Sequence, residues 1–143
     1  MTRPLTVGLA GLGTVGAGTL ALLRANADLI AARAGRPVVV SAVAARDRHR
    51  DRGLSVEGLR WFDDAAALAT APGIDVVVEA IGGSEGPARA LIEAALAAGK
   101  PVVTANKALL AIHGAGLAER AARAGVPLAF EAAVAGGIPA IKA

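Results

Sequence analysis

The chain alternates mostly apolar runs with stretches in which apolar residues recur every three or four positions. Leu5–Ala10 is the first run, and it reads as a strand that is buried on both faces of a parallel sheet. The apolar positions after it are spaced by three, four and three residues, at Leu20, Leu23, Ala27 and Ile30. This spacing predicts one helix that ends at Gly35.

The same alternation continues along the rest of the chain. Strands are predicted over residues 37–45, 74–83, 100–105 and 126–132. Helices are predicted over residues 63–71, 87–98 and 107–124, the last one broken or kinked near Gly114 and Gly116. Residues 46–58 predict an exposed polar loop, and Trp61 and Phe62 are expected to be core or lid residues. This order of elements predicts an α/β fold, a Rossmann-like doubly wound parallel sheet of about five to six strands in three layers.

The composition suits one globular domain that binds a small anion rather than nucleic acid. Of the 143 residues, 55% are hydrophobic and 19% are charged, so the chain is not a disordered polar segment. The net charge is +3, and the basic residues are dispersed except for arginines at positions 46, 48, 50 and 52. Because aromatic residues make up 2% of the chain, few side chains can stack on bases. We therefore expect an anionic small molecule as the partner.

The lack of cysteine and of long apolar runs excludes further classes. Without cysteine the chain has no disulfide, no thiolate metal site and no cysteine nucleophile. No apolar run reaches the roughly 18 residues of a membrane span. We therefore expect a cytoplasmic protein with no membrane partner.

The turn after the first strand reads GLGTVG, in which Gly11, Gly13 and Gly16 match the G-x-G-x-x-G pattern of dinucleotide-binding turns. In that pattern the first glycine makes the turn, the second lets the backbone approach the pyrophosphate, and the third lets helix and strand pack closely. The N–H groups of Thr14 and Val15, at the positive end of the next helix, would face the phosphates. The alternative is a glycine turn kept for packing alone.

The end of the second predicted strand bears on the choice of cofactor. An acidic residue there binds the ribose 2′-OH of NAD, whereas a basic residue can pair with the 2′-phosphate of NADP. Here Arg46 comes first and Asp47 follows. Since a guanidinium fork matches phosphate oxygens, this order favours NADP, with NAD possible through Asp47. The alternative is that Arg46 is a solvated loop residue.

Later segments carry the most specific motifs. Residues 102–111 read VVTANKALLA, residues 130–143 read FEAAVAGGIPAIKA, and residues 77–83 read VVEAIGG. Together with GLGTVG, these motifs closely resemble the N-terminal nucleotide-binding region of homoserine dehydrogenase, in matching order over essentially the whole chain. The resemblance implies a nicotinamide cofactor and a reversible hydride transfer between L-homoserine and L-aspartate 4-semialdehyde, a step in threonine, methionine and isoleucine biosynthesis.

The resemblance also implies roles for individual residues. Lys107, in the family's N-K-A motif, would be catalytic, because a partly buried ammonium can supply charge and a proton to a developing alkoxide. The residues that would line the nicotinamide and ribose side of the cofactor are Ile81, Gly82, Gly83, Thr104, Ala105, Asn106 and Lys107. The alternative for Lys107 is a solvated lysine, although a cation at a helix start faces the unfavourable end of the dipole.

Members of the family bind a monovalent cation, typically sodium, through the E-A-A-V-A-G-G-I segment. Carried over by residue, the ligands would be Glu131, Val134, Gly136 and Ile138, mostly through backbone carbonyls, since hard cations prefer oxygen. The alternative is that residues 136–139 form a turn into the next domain. His49 and His113 have no partners at ligand spacing and are expected to be exposed or capping residues.

A complete member of the family continues into a substrate and dimerisation domain. Residues 1–131 are therefore expected to form the NAD(P)-binding domain, and residues 132–143 the start of the connection. Such a chain would hold nucleotide but turn over poorly or not at all on its own, and it could self-associate. Two alternatives stay open: a free-standing NADP-binding module without catalysis, and part of another amino-acid dehydrogenase, such as one acting on aspartate.

Overall fold

Six parallel strands form one sheet in the computed structural model, which describes residues 2–134. The strands are β1 (Leu5–Ala10), β2 (Val38–Ala44), β3 (Arg60–Phe62), β4 (Val76–Glu79), β5 (Val102–Thr104) and β6 (Leu128–Ala129). The helices are α1 (Thr14–Ala25), α2 (Ala27–Ala34), α3 (Ala65–Thr70), α4 (Pro87–Ala97) and α5 (Lys107–Ala124), followed by a 3₁₀ helix at Glu131–Ala133. The predicted α/β, Rossmann-like fold is confirmed.

The strand order, β3-β2-β1-β4-β5-β6, places the start of the chain in the middle of the sheet. From β1 the chain first moves outward to β2 and β3, and then returns to add β4 on the other side of β1. The loops that leave β1 and β4 therefore diverge in opposite directions. Open α/β sheets bind ligands in the crevice that this reversal leaves at the carboxyl ends of the strands.

Two apolar clusters cover the two faces of the sheet. One lies beneath α3, α4 and α5, and its fully buried side chains include Leu68, Leu91 and Leu109. The apolar face predicted for α4 is confirmed, since four of its residues are 0–1% exposed: Leu91, Ile92, Ala95 and Leu96. The other cluster lies beneath α1, where Leu20 packs on β1 and β2. Each fully buried leucine contributes about 1.5–3 kcal/mol to folding.

The second face is covered over part of the sheet. One register row crosses four strands through Val43, Leu9, Val78 and Val103. Val43 and Leu9 are 0% exposed, whereas Val103 is 37% exposed. The reason is topological: α1 and α2 connect β1 to β2, while the helices that follow β3, β4 and β5 all pack on the first face. The predicted third layer therefore covers one half of the described sheet.

The helix predicted to run as far as Gly35 is two helices, so that prediction is wrong. The bend between α1 and α2 is 80°. At the break, both the backbone N–H and the side-chain amide of Asn26 donate to the carbonyl of Leu22, at 3.1 and 3.0 Å. Such side-chain bonds compete with the helical pattern. None of the residues of α2 is buried, so packing does not oppose the break.

Other differences concern α5, the strand β3 and the last strand. The predicted break at Gly114 and Gly116 is absent, because buried Leu109, Leu117 and Ala121 hold one continuous face of α5. β3 was not predicted, and residues 46–58 are less exposed than expected, since Leu54 and Val56 pack on the second cluster. The last strand is confined to Leu128–Ala129, and the 3₁₀ helix replaces its expected end.

Within residues 2–134, no single helix has the length and apolar character to cross a membrane, although α1 and α2 counted together would pass on those two criteria.

Candidate functional site

A cleft of about 630 Å³ opens at the carboxyl ends of β1, β2 and β4. Its walls are formed by residues 11–13, 44–47 and 80–82, with residues 63–65 and Arg50 and Arg52 at one end. This volume falls within the usual range for small-molecule and cofactor sites. Its position coincides with the crevice where the strand order reverses.

Two of the three motif glycines are required by contacts within the protein. Gly11 has φ +92°, and a Cβ on it would lie 2.4 Å from the carbonyl oxygen of Ala80. A Cβ on Gly16 would lie 1.8 Å from the carbonyl oxygen of Gly11, so α1 packs directly on the turn. Both distances are far below contact, so neither position accepts a side chain without a shift of the backbone.

Gly13 differs from its two neighbours in the motif. A Cβ built on Gly13 meets no atom within 4 Å, and its φ of −76° is open to any residue. Packing alone therefore does not explain glycine here. Gly13 lines the cleft, and a side chain would occupy the space through which a ligand approaches the backbone. This distribution fits the dinucleotide-binding pattern, in which the second glycine serves the pyrophosphate.

The start of α1 offers unpaired N–H groups next to this turn. Gly13 caps α1 without a side-chain hydrogen bond, and the first turn of the helix has no acidic residue. The first intrahelical bond is that from Ala17 N to Gly13 O, at 2.9 Å. Thr14 and Val15 are exposed. The positive end of α1 is therefore suited to an anionic group.

Arg46 and Asp47 differ in their availability to a ligand. Arg46 lines the cleft, is exposed, and has no hydrogen bond or ion pair within residues 2–134. The carboxylate of Asp47 accepts hydrogen bonds from the backbone N–H groups of His49 and Arg50, at 2.9 and 3.1 Å. Asp47 therefore orders its own loop, while the guanidinium of Arg46 stays open to solvent.

Arg52 ties this loop to the glycine turn. Its guanidinium donates to the carbonyl oxygen of Leu12, at 3.3 Å, and lies 5.5 Å from the centre of the Trp61 ring. Arg48 stacks over the same ring at 5.9 Å, and the indole N–H of Trp61 donates to Asp63 at 3.0 Å. Cation–π contacts between a loop and a later strand leave no periodic signal, so sequence reasoning missed them.

A buried carboxylate supports the opposite wall of the cleft. Glu79, the last residue of β4, is 0% exposed. Its Oε1 accepts hydrogen bonds from the backbone N–H groups of Ile81 and Gly82, at 2.7 and 3.0 Å. Its Oε2 accepts one from the hydroxyl of Thr104, at 2.5 Å. Glu79 belongs to the VVEAIGG motif, but the motif alone did not indicate a role for it.

Thr104 and Asn106 connect this wall to α5. The Thr104 hydroxyl accepts a hydrogen bond from the backbone N–H of Asn106 at 3.0 Å. The amide of Asn106 donates to the carbonyl of Gly83 at 2.7 Å, and its oxygen caps α5 by accepting from Leu109 N at 3.1 Å. Thr104 is 0% and Asn106 5% exposed. Neither residue is among those that line the described cleft, and the expectation that they line the cofactor space stays a prediction.

Three further predicted residues, Gly83, Ala105 and Lys107, are not among those that line the cleft. Gly83 is exposed at the turn, and Ala105 is half-buried and donates its N–H to the carbonyl of Glu79 at 3.3 Å. Lys107 is the first residue of α5. It is exposed, and it makes no side-chain hydrogen bond or ion pair within residues 2–134. Its ammonium is available to a bound molecule.

The predicted cation ligands are only in part described. Glu131 is exposed in the 3₁₀ helix, and Val134 is half-buried after it. Gly136 and Ile138 lie outside the described residues. Among residues 2–134 there is no cluster of three or more histidine, aspartate or glutamate side chains that could hold a metal ion. The cation site therefore stays a prediction.

Comparison with known proteins identifies the family that this chain matches. Residues 11–131 match the family model described as "Homoserine dehydrogenase, NAD binding domain". The chain is 50% identical to homoserine dehydrogenase of Pseudomonas aeruginosa, over 99% of this chain and 32% of that protein. It is 48% identical to that of Corynebacterium glutamicum, over 94% of this chain and 30% of that protein.

Solved structures agree with these matches. The crystal structure of a homoserine dehydrogenase from Thiobacillus denitrificans superposes with a TM-score of 0.90 at 50% identity, over 98% of this chain and 32% of that one. That of Staphylococcus aureus gives 0.84 at 33% identity, over 92% and 34%. The chain spans about a third of the length of the curated relatives that it matches. The resemblance stated from the motifs is confirmed, and a coincidental match to another dehydrogenase is no longer favoured.

Proposed function

The chain belongs to the homoserine dehydrogenase NAD-binding-domain family, and we propose that it binds NADP in the cleft as the cofactor-binding part of a homoserine dehydrogenase. A nicotinamide dinucleotide is the cofactor class of this family. The proposed reaction of the whole enzyme interconverts L-homoserine and L-aspartate 4-semialdehyde. The observation that carries the proposal is Gly13, a cleft-lining glycine that no contact within the described protein requires.

The preference for NADP rests on the two residues after β2. The exposed Arg46 guanidinium lines the cleft without a partner among residues 2–134, and a guanidinium fork suits a phosphate. Asp47, the residue that would bind the 2′-OH of NAD, has one carboxylate oxygen engaged by two backbone N–H groups. A 2′-phosphate therefore meets a free cation, whereas a 2′-OH meets a carboxylate that already has donors.

The proposed chemistry depends on Lys107, which is not among the residues that line the described cleft. The cofactor, when bound, supplies or accepts a hydride. A carbonyl that gains hydride develops negative charge on oxygen and needs a proton, and an ammonium can provide both charge and proton. Lys107 is exposed at the start of α5, beyond the carboxyl end of β5, and no described residue neutralises it. We therefore assign it the catalytic role in the whole enzyme.

The cofactor assignment is tested by calorimetric titration of the 143-residue chain with NADPH and with NADH. We expect binding of both, with NADPH tighter. An absence of heat with either dinucleotide would contradict the proposal.

Arg46→Ala then tests the 2′-phosphate contact. It should weaken NADPH by about tenfold or more and NADH by less than twofold, since one charge-assisted bond contributes roughly 1.5–3 kcal/mol. Arg33→Ala, which removes an exposed arginine from α2, is the matched control and should change neither affinity. Equal losses of NADPH and NADH affinity in Arg46→Ala would exclude the phosphate contact.

The role of Lys107 is tested in a polypeptide extended by the region that corresponds to the remainder of the homoserine dehydrogenase relatives. Lys107→Ala should lower kcat by orders of magnitude while the affinity for NADPH changes little, because the ammonium acts in the transition state. Near-normal turnover would reject the catalytic role. Assay of the 143-residue chain with homoserine also separates a cofactor-binding part from a unit that is active alone.

Further properties expected from the sequence stay predictions. They are the sodium site, the cytoplasmic location, self-association and the domain boundary after residue 131. Titration of NADPH affinity against sodium and against potassium tests the first, and sedimentation of the chain tests the third.

A further inference from the structure

We propose that Glu79 is a positioning residue, whose buried carboxylate holds the wall that receives the nicotinamide half of the cofactor and sets the start of α5. This inference rests on the proposed function, because it concerns the same cleft. It is carried by the hydrogen bonds of one side chain that is 0% exposed.

A carboxylate is unexpected at this point of β4. The three residues before it are valines, and a buried charge is unfavourable unless donors surround it. Glu79 has three donors within residues 2–134: two backbone N–H groups and one hydroxyl. No cation among the described residues bonds to it. Its charge is thus directed entirely at neighbouring polar groups of the fold.

The segment after β4 needs such an acceptor. Gly82 and Gly83 have φ of +85° and +82°, so the backbone leaves the extended conformation immediately beyond the strand. The N–H groups of Ile81 and Gly82 are bound by Glu79 instead of by a neighbouring strand. Ile81 and Gly82 line the cleft, so the position of this wall depends on the carboxylate.

The topology indicates which half of the cofactor meets this wall. β2, with Arg46 after it, and β4, with Ile81 after it, lie on opposite sides of β1. A dinucleotide with its 2′-phosphate at Arg46 and its pyrophosphate at Gly13 extends its nicotinamide half toward β4. Glu79 therefore acts on one half of the cofactor and not on the other.

The same carboxylate reaches α5 through two further hydrogen bonds. Thr104 donates to Glu79 and accepts from Asn106, and Asn106 caps the helix that begins with Lys107. Asn106 also binds the carbonyl of Gly83, so the turn and the helix start are joined in one network. The position of the wall and that of the lysine are thereby coupled through groups that do not line the cleft.

The test compares Glu79→Gln with the native 143-residue chain, using NADPH and 2′,5′-ADP, a fragment without the nicotinamide half. Gln keeps the shape but removes the charge and one acceptor. We expect NADPH affinity to fall about tenfold, a change of roughly 1.4 kcal/mol, and 2′,5′-ADP affinity to change less than twofold. A purely structural loss would weaken both ligands alike.

Asp75→Asn is the matched control, because Asp75 also accepts a backbone N–H and a threonine hydroxyl, but at the opposite end of β4. It should leave both affinities unchanged. Thr104→Val and Thr104→Ser form a second pair, which serves also if Glu79→Gln does not fold. Thr104→Val should reproduce the selective loss of NADPH affinity, and Thr104→Ser, which keeps the hydroxyl, should restore it.

Each outcome decides the inference. Equal loss of both ligands, or no loss, in Glu79→Gln overturns it, as does native behaviour of Thr104→Val. If the native chain binds 2′,5′-ADP and NADPH, the proposed binding of NADP stands whatever the Glu79 and Thr104 variants do. If the native chain binds neither ligand, the proposed function fails and the role of Glu79 fails with it.

Discussion

Asp75 and Glu79 lie at the two ends of β4 and accept similar hydrogen bonds, but the two carboxylates hold different parts of the protein. Asp75 accepts from the backbone N–H and the hydroxyl of Thr6, at 2.9 and 2.7 Å, and from Arg3 at 2.6 Å. Glu79 accepts from backbone N–H groups of the cleft wall and from the hydroxyl of Thr104. Each carboxylate thus combines main-chain and threonine donors.

The difference between the two lies in burial and in what each one holds. The Asp75 side chain is 21% exposed and joins the start of β4 to β1, two strands that already pair. Glu79 is 0% exposed and holds the backbone N–H groups of Ile81 and Gly82, which lie beyond the end of β4. At the amino edge of this sheet one carboxylate joins two strands, while at the carboxyl edge another holds the turn that lines the cleft.

The largest effect is expected at the carboxyl edge, from Gly16→Ala. Its Cβ would lie 1.8 Å from the carbonyl oxygen of Gly11, so α1 must move away from the turn. We expect a loss of about 3 kcal/mol or more in the free energy of unfolding, measured by urea denaturation, and loss of NADPH binding.

Gly18→Ala is the control for that variant. It lies in the same helix, and a Cβ on Gly18 meets no atom within 4 Å. Because alanine favours a helix interior over glycine, Gly18→Ala should gain about 0.5–1 kcal/mol. Equal stability of the two variants would show that the contact between α1 and the turn is not rigid.

A smaller effect is expected at the amino edge, from Asp75→Asn. The hydroxyl and the backbone N–H of Thr6, together with Arg3, lower the pKa of Asp75 from 3.8 to about 2. After allowance for solvent screening, this shift corresponds to about 1–2 kcal/mol of folding stability. Thermal denaturation should show a fall of a few degrees with unchanged NADPH affinity. If the NADPH affinity of Asp75→Asn falls together with its thermal stability, the amino edge of the sheet also affects binding and the contrast with the carboxyl edge is wrong.

The pH dependence of that difference sharpens the same point. Because the folded pKa of Asp75 is depressed, its contribution is complete above the unfolded value of 3.8 and declines as the pH falls through about 2. The stability difference between native chain and Asp75→Asn should therefore be constant at neutral pH and shrink in acid. Urea midpoints across this range measure it, and a difference that persists in strong acid would exclude the carboxylate as its source.

The smallest effect is expected from an exposed carboxylate near the site. The His113 hydrogen bond, followed by that of Arg89, lowers the pKa of Glu85. His113 lies 2.5 Å from Glu85 and is thus half-buried and paired, rather than exposed or capping as expected. Glu85→Gln should lower the melting temperature by less than Asp75→Asn, because solvent screens exposed pairs, and high salt should remove the effect. A fall as large as that of Asp75→Asn would contradict this ranking.

Much of the fold could be predicted because its signals are local. Intervals of three and four residues place Leu91, Ile92, Ala95 and Leu96 on one buried helix face, and Gly99 and Gly125 follow helix ends with positive φ. Failures occur where local rules met a competing contact. The side chain of Asn26 intervenes between α1 and α2, and packing outweighs the glycines of α5.

In the candidate site, too, local features could be predicted from the sequence and long-range contacts could not. Gly11, Gly13 and Gly16 were found from spacing, because a turn and the helix it starts are neighbours in the chain. Glu79 and Thr104 are 25 residues apart, and no spacing rule connects them. Thr104 and Asn106 were placed beside the cofactor by resemblance, whereas their hydrogen bonds turn them inward to support the wall.

The residues alone determined the alternation of strands and helices, apart from β3 and the break between α1 and α2, together with the glycine turn and the basic residue after β2. Periodicity and backbone preference act between near neighbours and so can be read from the sequence. The roles of Asp75 and Glu79 do not follow in this way. Both are acidic residues at the ends of one short strand. Nothing in the neighbouring sequence indicates that Asp75 is partly exposed and joins two strands, whereas Glu79 is buried and holds a turn. Folding distinguishes them, because burial and the supply of donors depend on which distant strands come to lie beside β4.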